Sequence, residues 1–371
     1  MDLTEFDDLN LKKIIGKNCP DCSIMGHIVG ELVVFPVVKE KFVHDFLDNR
    51  FKEFNLQLSF TQKVILIYGE QLSVKTLLYI HSWFISQCCD INNIFLVIPH
   101  QIGIKDWYQN YLRLFGYNGF NIIECPFLNN DPILRLWDDL DPNFKFSKKK
   151  LKYYFNFYGG TWGNFEREFL VTLLSTIPNG YIDYMPEFQP LEEFDNHLEK
   201  ITSFSDRKLC DQLLERRKIL TFDVHRSDNH PGVGHHGFIW EIDNQSACHV
   251  IRETINELPY MMASEKTIKP FTHFQFPLPI SGVNSIQYLE ELGFQMPHNV
   301  IDYQYQTDPI FYNRVQKLYA ELLRLEKTYT LDEMEDQLND NREILQYNYS
   351  YIASGNLFRK VKNNLIRELN D

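Results

Sequence analysis

From residue 63 onward, short β-branched or aromatic runs alternate with longer amphipathic ones, the pattern of a parallel sheet with crossover helices. Val64 to Tyr68 reads as a buried strand stopped at Gly69, and Leu77 to Cys88 as the helix after it. Ile94 to Ile98, closed by Pro99, is a second strand. A helix around Trp107 to Phe115 then leads to a third strand, Phe120 to Cys125. Upstream, residues 31–38 add a strand in which Pro36, with no N–H for the ladder, demands an edge or a bend. These elements predict a Rossmann-like half.

Between about 128 and 150 the composition turns to Asn, Asp and Pro and then to lysine, which marks a linker. The alternation restarts with a strand at Tyr153 to Phe157, a turn through Gly159-Gly160 and a helix from about Asn164 to Thr176. Further strands are predicted near Tyr181 to Tyr184, Leu220 to Val224 and Cys248 to Arg252. A helix over Glu265 to Phe274 precedes a short strand and turn, Pro279 to Gly282, and Ile286 to Leu292 is a helix stopped by Gly293. The stretch 309–371 reads as mostly helical. The expected organisation is an N-terminal domain at 1–145, a second at 146–330, and C-terminal helices at 331–371 that pack back on the first through Phe358, Val361 and Leu365.

Length and composition narrow the class. At 371 residues two domains are the better expectation than one. Hydrophobic residues at 44% and charged residues at 23% exclude a largely disordered chain. A net charge of −13 argues against wrapping duplex nucleic acid over a broad surface. Local basic clusters at 145–152, Arg207-Lys208, Arg216-Arg217-Lys218 and Arg359-Lys360 keep an anionic partner open, with solvated helix faces as the equal alternative. Seven cysteines, several inside apolar runs, and an acidic N-terminus predict reduced thiols and a cytoplasmic protein without a membrane span.

The sharpest chemistry lies at 250–270. A buried strand delivers Glu253 to its carboxyl end, and Ser264-Glu265-Lys266 then opens a helix as cap and first turn. In a doubly wound domain that edge is where helix N-termini meet phosphate; a lysine there neutralises diphosphate and a glutamate holds ribose hydroxyls. An ordinary capped helix with a charged first turn is the rival explanation.

The run Ser264-Glu265-Lys266-Thr267-Ile268-Lys269-Pro270, followed by Phe276-Pro-Leu-Pro-Ile-Ser-Gly282 and Tyr288-Leu-Glu-Glu-Leu-Gly-Phe294, resembles the C-terminal donor domain of GT-B glycosyltransferases of phages and bacteria. It is also similar to the fucosyltransferase pattern in which Thr- or Ser-Glu-Lys opens a helix before an apolar strand and a Gly. Tyr154 to Arg167, then Gly180-Tyr-Ile-Asp183, resembles the same family's strand, arginine-bearing turn and helix. The likeness covers roughly residues 150 to 320. It implies an α/β fold of two Rossmann-like domains facing a central cleft, with a helical C-terminus. By position, Glu265 would bind the ribose or donor sugar, Lys266 and Arg167 the diphosphate, and Glu253 would lie beside the sugar, with Ser264 and Lys269 completing the donor set. The family carries further basic residues before its turn arginine, whereas Gly159, Gly160, Thr161 and Trp162 stand here.

Other candidates are weaker. The segment Phe222 to Gly237 holds four histidines and three glycines; its readings are a loop bearing a catalytic base, a metal site of irregular spacing, or a polar loop. Asp223 and His225 are its base candidates, and Glu70 at the end of the first N-terminal strand is the rival. Asp139-Leu-Asp141 is a D-x-D inside the linker, and Cys19-Pro-Asp-Cys22 a single C-x-x-C without a second pair.

The expectation is therefore a glycosyltransferase that moves a sugar from a nucleotide-diphosphate donor to a hydroxyl on a glycan, a protein or a modified DNA base. It requires no metal or other cofactor and works in the cytoplasm, the host's if the chain is phage-encoded. The alternatives are an enzyme acting on hydroxymethylated DNA and a non-catalytic nucleotide-sugar or carbohydrate-binding protein.

Overall fold

The computed structural model describes residues 27–29, 32–37, 63–68, 72–86, 91–98, 101–126, 140–158, 165–183, 190–201, 211–218, 240–253 and 260–370. The architecture is mixed α/β with parallel sheets and many helices. The chain divides into two compact units, one of Met1–Asp139, Leu258–Glu265 and Ser354–Asp371, the other of Leu140–Glu257 and Lys266–Ala353.

The first unit is built on β1 (His27–Val29), β2 (Leu32–Val37), β3 (Lys63–Tyr68), β4 (Ile94–Ile98) and β6 (Asn121–Glu124), ordered β1-β2-β3-β4-β6. Only the β1–β2 pair is antiparallel. All five residues of β4 are buried, as expected of a parallel strand covered on both faces. Helices α1 (Val74–Ser86) and α2 (Ile104–Phe115) supply Leu77, Ile80, Phe84, Tyr108 and Leu112 to a core with Leu66, Leu96 and Ile122. Pro36 pairs with Ile67 inside the sheet rather than at its edge. The β1–β2 ladder ends at Val34, two residues before Pro36. A short strand β5 (Gln101–Ile102) pairs with β10 (Met261–Met262). The adjacent Tyr260 hydroxyl and the Gln101 carboxamide both bond the Leu72 backbone.

The second unit carries β7 (Tyr153–Tyr158), β8 (Gly180–Asp183), β9 (Ser246–Ile251) and β11 (Phe276–Pro279), all parallel in the order β11-β9-β7-β8. β9 and β11 are buried throughout. Gly180 lies opposite Phe155, and a Cβ at 180 would sit 2.3 Å from the ring, so the pairing requires glycine. The helices are α3 (Phe165–Leu174), α4 (Leu191–Ile201), α5 (211–218), α6 (Trp240–Asn244), α7 (Glu265–Thr272), α8 (Ser285–Leu292), α9 (Phe311–Thr328), α10 (Leu331–Asp340) and α11 (Arg342–Ala353). Gly293, at φ 107, ends α8, and a capping box of Thr330 and Glu333 opens α10. The last helix, α12 (Asn356–Asn370), belongs to the first unit, buries Leu357, Val361 and Leu365, and packs on β6. Among the described residues no helix is long and apolar enough to cross a membrane.

Candidate functional site

The strand order of the second unit creates one chemically distinctive place. From β7 the chain passes through α3 to β8 on one side, and β9, reached after α6, lies on the other side of β7. Connections thus leave the β7–β9 pair in opposite directions, and in open parallel sheets the crevice at the carboxyl ends of such a pair is where ligands bind. β7 ends at Tyr158, before the Gly-Gly-Thr-Trp-Gly-Asn run at 159–164, which lies outside the described residues. β9 ends at Ile251 and delivers Arg252 and Glu253, both buried.

Glu253 is held from two directions. Its backbone N–H donates to Ser281 Oγ at 2.7 Å, and its carboxylate accepts from Thr267 Oγ1 of α7 at 2.7 Å. Ser281 precedes Gly282 at φ 80, and Ser285 Oγ, in the first turn of α8, donates back to the Ser281 carbonyl at 2.7 Å. Arg314 of α9 fixes the same end of β11 by donating to the carbonyls of Ile280 and Asp308. The carboxyl ends of β9 and β11 and the first turns of α7 and α8 form one bonded frame.

Of the residues expected to bind donor, Glu253 lies in this frame and Lys266 in the first turn of α7, while Ser264 and Glu265, which precede Lys266 in the chain, belong to the first unit. Lys266 is half-buried and Ser264 buried. Arg167 lies in the first turn of α3, after β7, and is buried at 6% exposure. Its neighbour Glu168 faces Arg217, 3.5 Å away, in a buried ion pair. Lys269 points into the protein: its Nζ is 3.1 Å from Asp243 Oδ2 and 3.8 Å from the centre of the Tyr158 ring. The base candidates Asp223, His225 and Glu70 lie outside the described residues.

Around Asp243 the structure gathers a buried polar network. The carboxylate is fully buried, and Oδ1 accepts from Asn156 Nδ2 at 2.6 Å and from the Tyr158 hydroxyl at 2.9 Å. Gln275 Nε2 donates to Asn156 Oδ1 at 3.2 Å. His249 and His273 flank the carboxylate at 4.0 and 3.9 Å. Burial opposes the Asp243 charge, but the Lys269 ammonium, followed by the two histidines, overcomes it and holds the carboxyl below its usual range. Burial, reinforced by Lys269 and opposed by Asp243, pushes His249 down to about 3. Burial likewise pushes His273 down to about 4, against Asp243. Both rings are neutral at pH 7. Lys149 donates to the carbonyls of His273 at 2.5 Å and Asp243 at 3.2 Å, and burial lowers it to about 7 despite Asp243.

One signal pointed to this network: a histidine inside the apolar run Ser-Ala-Cys-His249-Val-Ile, a place where a polar ring must find partners. Asp243, in Trp-Glu-Ile-Asp-Asn, looks like any surface acid. The basic clusters are largely engaged within the chain. Lys148 pairs with Asp336, Lys150 with Asp332 and Glu335, and Lys218 with Glu215. Arg216 binds Ser175, and Arg359 binds Ser354 and Asn356. Arg207 and Lys208 lie outside the described residues. Asp141 of the D-x-D accepts from the Asn143 N–H within a turn. Among the described residues no group of three His, Cys, Asp or Glu side chains is arranged to hold a metal ion. No protein-family model, curated protein or solved structure matches the chain.

Proposed function

We propose that the protein is a glycosyltransferase of GT-B type, with two Rossmann-like domains, that moves a sugar from a nucleotide-diphosphate donor to a hydroxyl acceptor. The observation that carries this reading is the β7–β9 divergence with Glu253 bonded to Thr267, one residue from Lys266 in the first turn of α7. A helix N-terminus that opens with Ser-Glu-Lys beside a strand's carboxyl end suits an anionic diphosphate, through backbone N–H groups, the helix dipole and the lysine charge. In this reading Lys266 and Arg167 stabilise the departing diphosphate, Ser264 and Glu265 contact the donor, and Glu253 fixes α7 against the strand end. Lys269 acts from beneath, by holding α7 to Asp243. The base that takes the acceptor proton is drawn from Asp223, His225 and Glu70.

The test is turnover. The full chain is incubated with a panel of nucleoside-diphosphate sugars, and free nucleotide is measured with and without glycan acceptors and hydroxymethylated DNA. Nucleotide release that depends on Lys266 supports the reading. Release only with modified DNA selects that acceptor, and binding without release under every condition makes the chain a sugar-nucleotide binding module.

A further inference from the structure

Helix α7 is a poor helix on its own. It has eight residues, short of the dozen or more that an isolated helix needs. Pro270 within it also removes the N–H that the Lys266 carbonyl would accept. Side chains therefore hold it in place: Ile268 and Phe271 are fully buried, Thr267 bonds Glu253, and Lys269 pairs with Asp243.

The last of these ties sits inside a closed ring of titratable groups. Tyr158 faces Asp243 from β7, His249 from β9, Lys269 and His273 from α7 and its end, and Lys149 from the segment entering β7; Cys248 of β9 and Tyr181 of β8 lie just beyond. His273 Nδ1 is 3.0 Å from both the Lys269 carbonyl and the Thr272 hydroxyl, and that hydroxyl itself donates to the same carbonyl at 2.9 Å. A neutral ring that donates there carries its lone pair on Nε2, which points toward Asp243 Oδ2 at 3.9 Å. That oxygen is the one Lys269 engages at 3.1 Å. A proton taken from solvent onto Nε2 turns the ring into a charged donor competing for that oxygen, and places a second cation beside the Lys269 ammonium.

We propose that Asp243, Lys269 and His273, with His249 beside them, form an acid-operated latch, in which protonation of His273 transfers the Asp243 carboxylate from Lys269 to imidazolium and frees α7 from the sheet. The latch is closed at neutral pH, where both rings are uncharged, and opens as pH falls toward about 4. Its operation does not depend on what binds at the start of α7.

Histidine-selective 15N NMR and amide hydrogen exchange on the full chain test it. At neutral pH His273 should be the Nδ1–H tautomer. Between about pH 7 and about pH 4.5, with intrinsic exchange corrected, amides at 267–273 should lose about tenfold or more of their protection while those of β7 and β9 keep theirs. The pair His249→Asn, His273→Asn should abolish that response. Protection at 267–273 that is insensitive to acid, or lost together with the sheet, or lost equally in the double variant, overturns the latch. Should the double variant not fold, Lys269→Met decides. With the competing cation gone, the His273 midpoint should rise by about one pH unit or more; an unmoved midpoint overturns the proposal.

Discussion

The two sheets are made of similar parallel strands yet are wound differently. In the first unit the parallel strands follow one another across the sheet in chain order, β2-β3-β4-β6. In the second, the order β11-β9-β7-β8 doubles back at β7. The interiors differ to match. Among the described residues of the first unit the buried polar side chains are few and uncharged, with Thr76 and Gln101 among them, and His81, whose Nδ1 lies 2.5 Å from the Tyr108 hydroxyl. In the second, one face of the sheet presents Asn156, Tyr158 and His249 to Asp243 and Lys269. Sequential winding offers packing and little else, whereas winding that reverses opens a crevice at strand ends and places polar groups beneath the helix at its rim. Buried charge is costly unless fully partnered, and among the described residues it is concentrated in the second unit.

Asp243→Ala leaves the Lys269 ammonium buried without its carboxylate and removes the acceptor of Tyr158 and Asn156, and should cost about 3–5 kcal/mol in urea unfolding. A loss under about 1 kcal/mol would show that the network is dispensable.

Acid is the next lever. Folded His249 and His273 resist protonation until about 3 and about 4, while the unfolded chain takes up protons below its ordinary histidine pKa near 6.5. Between those limits the unfolded state binds more protons, so stability falls as pH falls, by up to about 1.4 kcal/mol per pH unit for each histidine. Replacing either with Asn should flatten the acid limb of a stability–pH curve, and an unchanged slope would contradict the burial of neutral rings.

A packing substitution in the same unit shows whether charge or fit dominates there. Gly180→Ala drives a methyl into the Phe155 ring and should cost up to about 3 kcal/mol, less than Asp243→Ala, as read from chemical denaturation. In the first unit, Tyr108→Phe removes one neutral hydrogen bond to His81 and should lower stability by about 1 kcal/mol. A loss there as large as that of Asp243→Ala would erase the contrast between the units.

Strand cores were legible in the sequence because period and punctuation agreed. Ile94–Ile98, stopped by Pro99, has the bounds its pattern predicts, and β7 runs one residue beyond the predicted Phe157, to Tyr158. Helix ends were less so. α1 begins three residues before Leu77, because Ser73, whose Oγ accepts from the Thr76 N–H, starts the turn upstream of the apolar stripe. α7 stops at Thr272 rather than Phe274, where the backbone has turned left-handed at φ 51. The helical stretch after 309 hid its breaks, since Thr330 and Asn341 interrupt it without a proline. Glu253 and Lys266 could be singled out because each adjoins an element boundary. Asp243 could not, because its partners at 156, 158, 249 and 269 converge only when β9 returns to the far side of β7, and strand order leaves no trace in local periodicity.

Calorimetric titration of the full chain with nucleoside-diphosphate sugars, repeated on a folded Lys266→Glu variant, tests for a diphosphate site at the start of α7. Saturable binding, displaced by the free nucleoside diphosphate and weakened about tenfold or more by the charge reversal, is the predicted result. Affinity that the reversal leaves intact, or no heat with any sugar nucleotide, would contradict a diphosphate site at the start of α7.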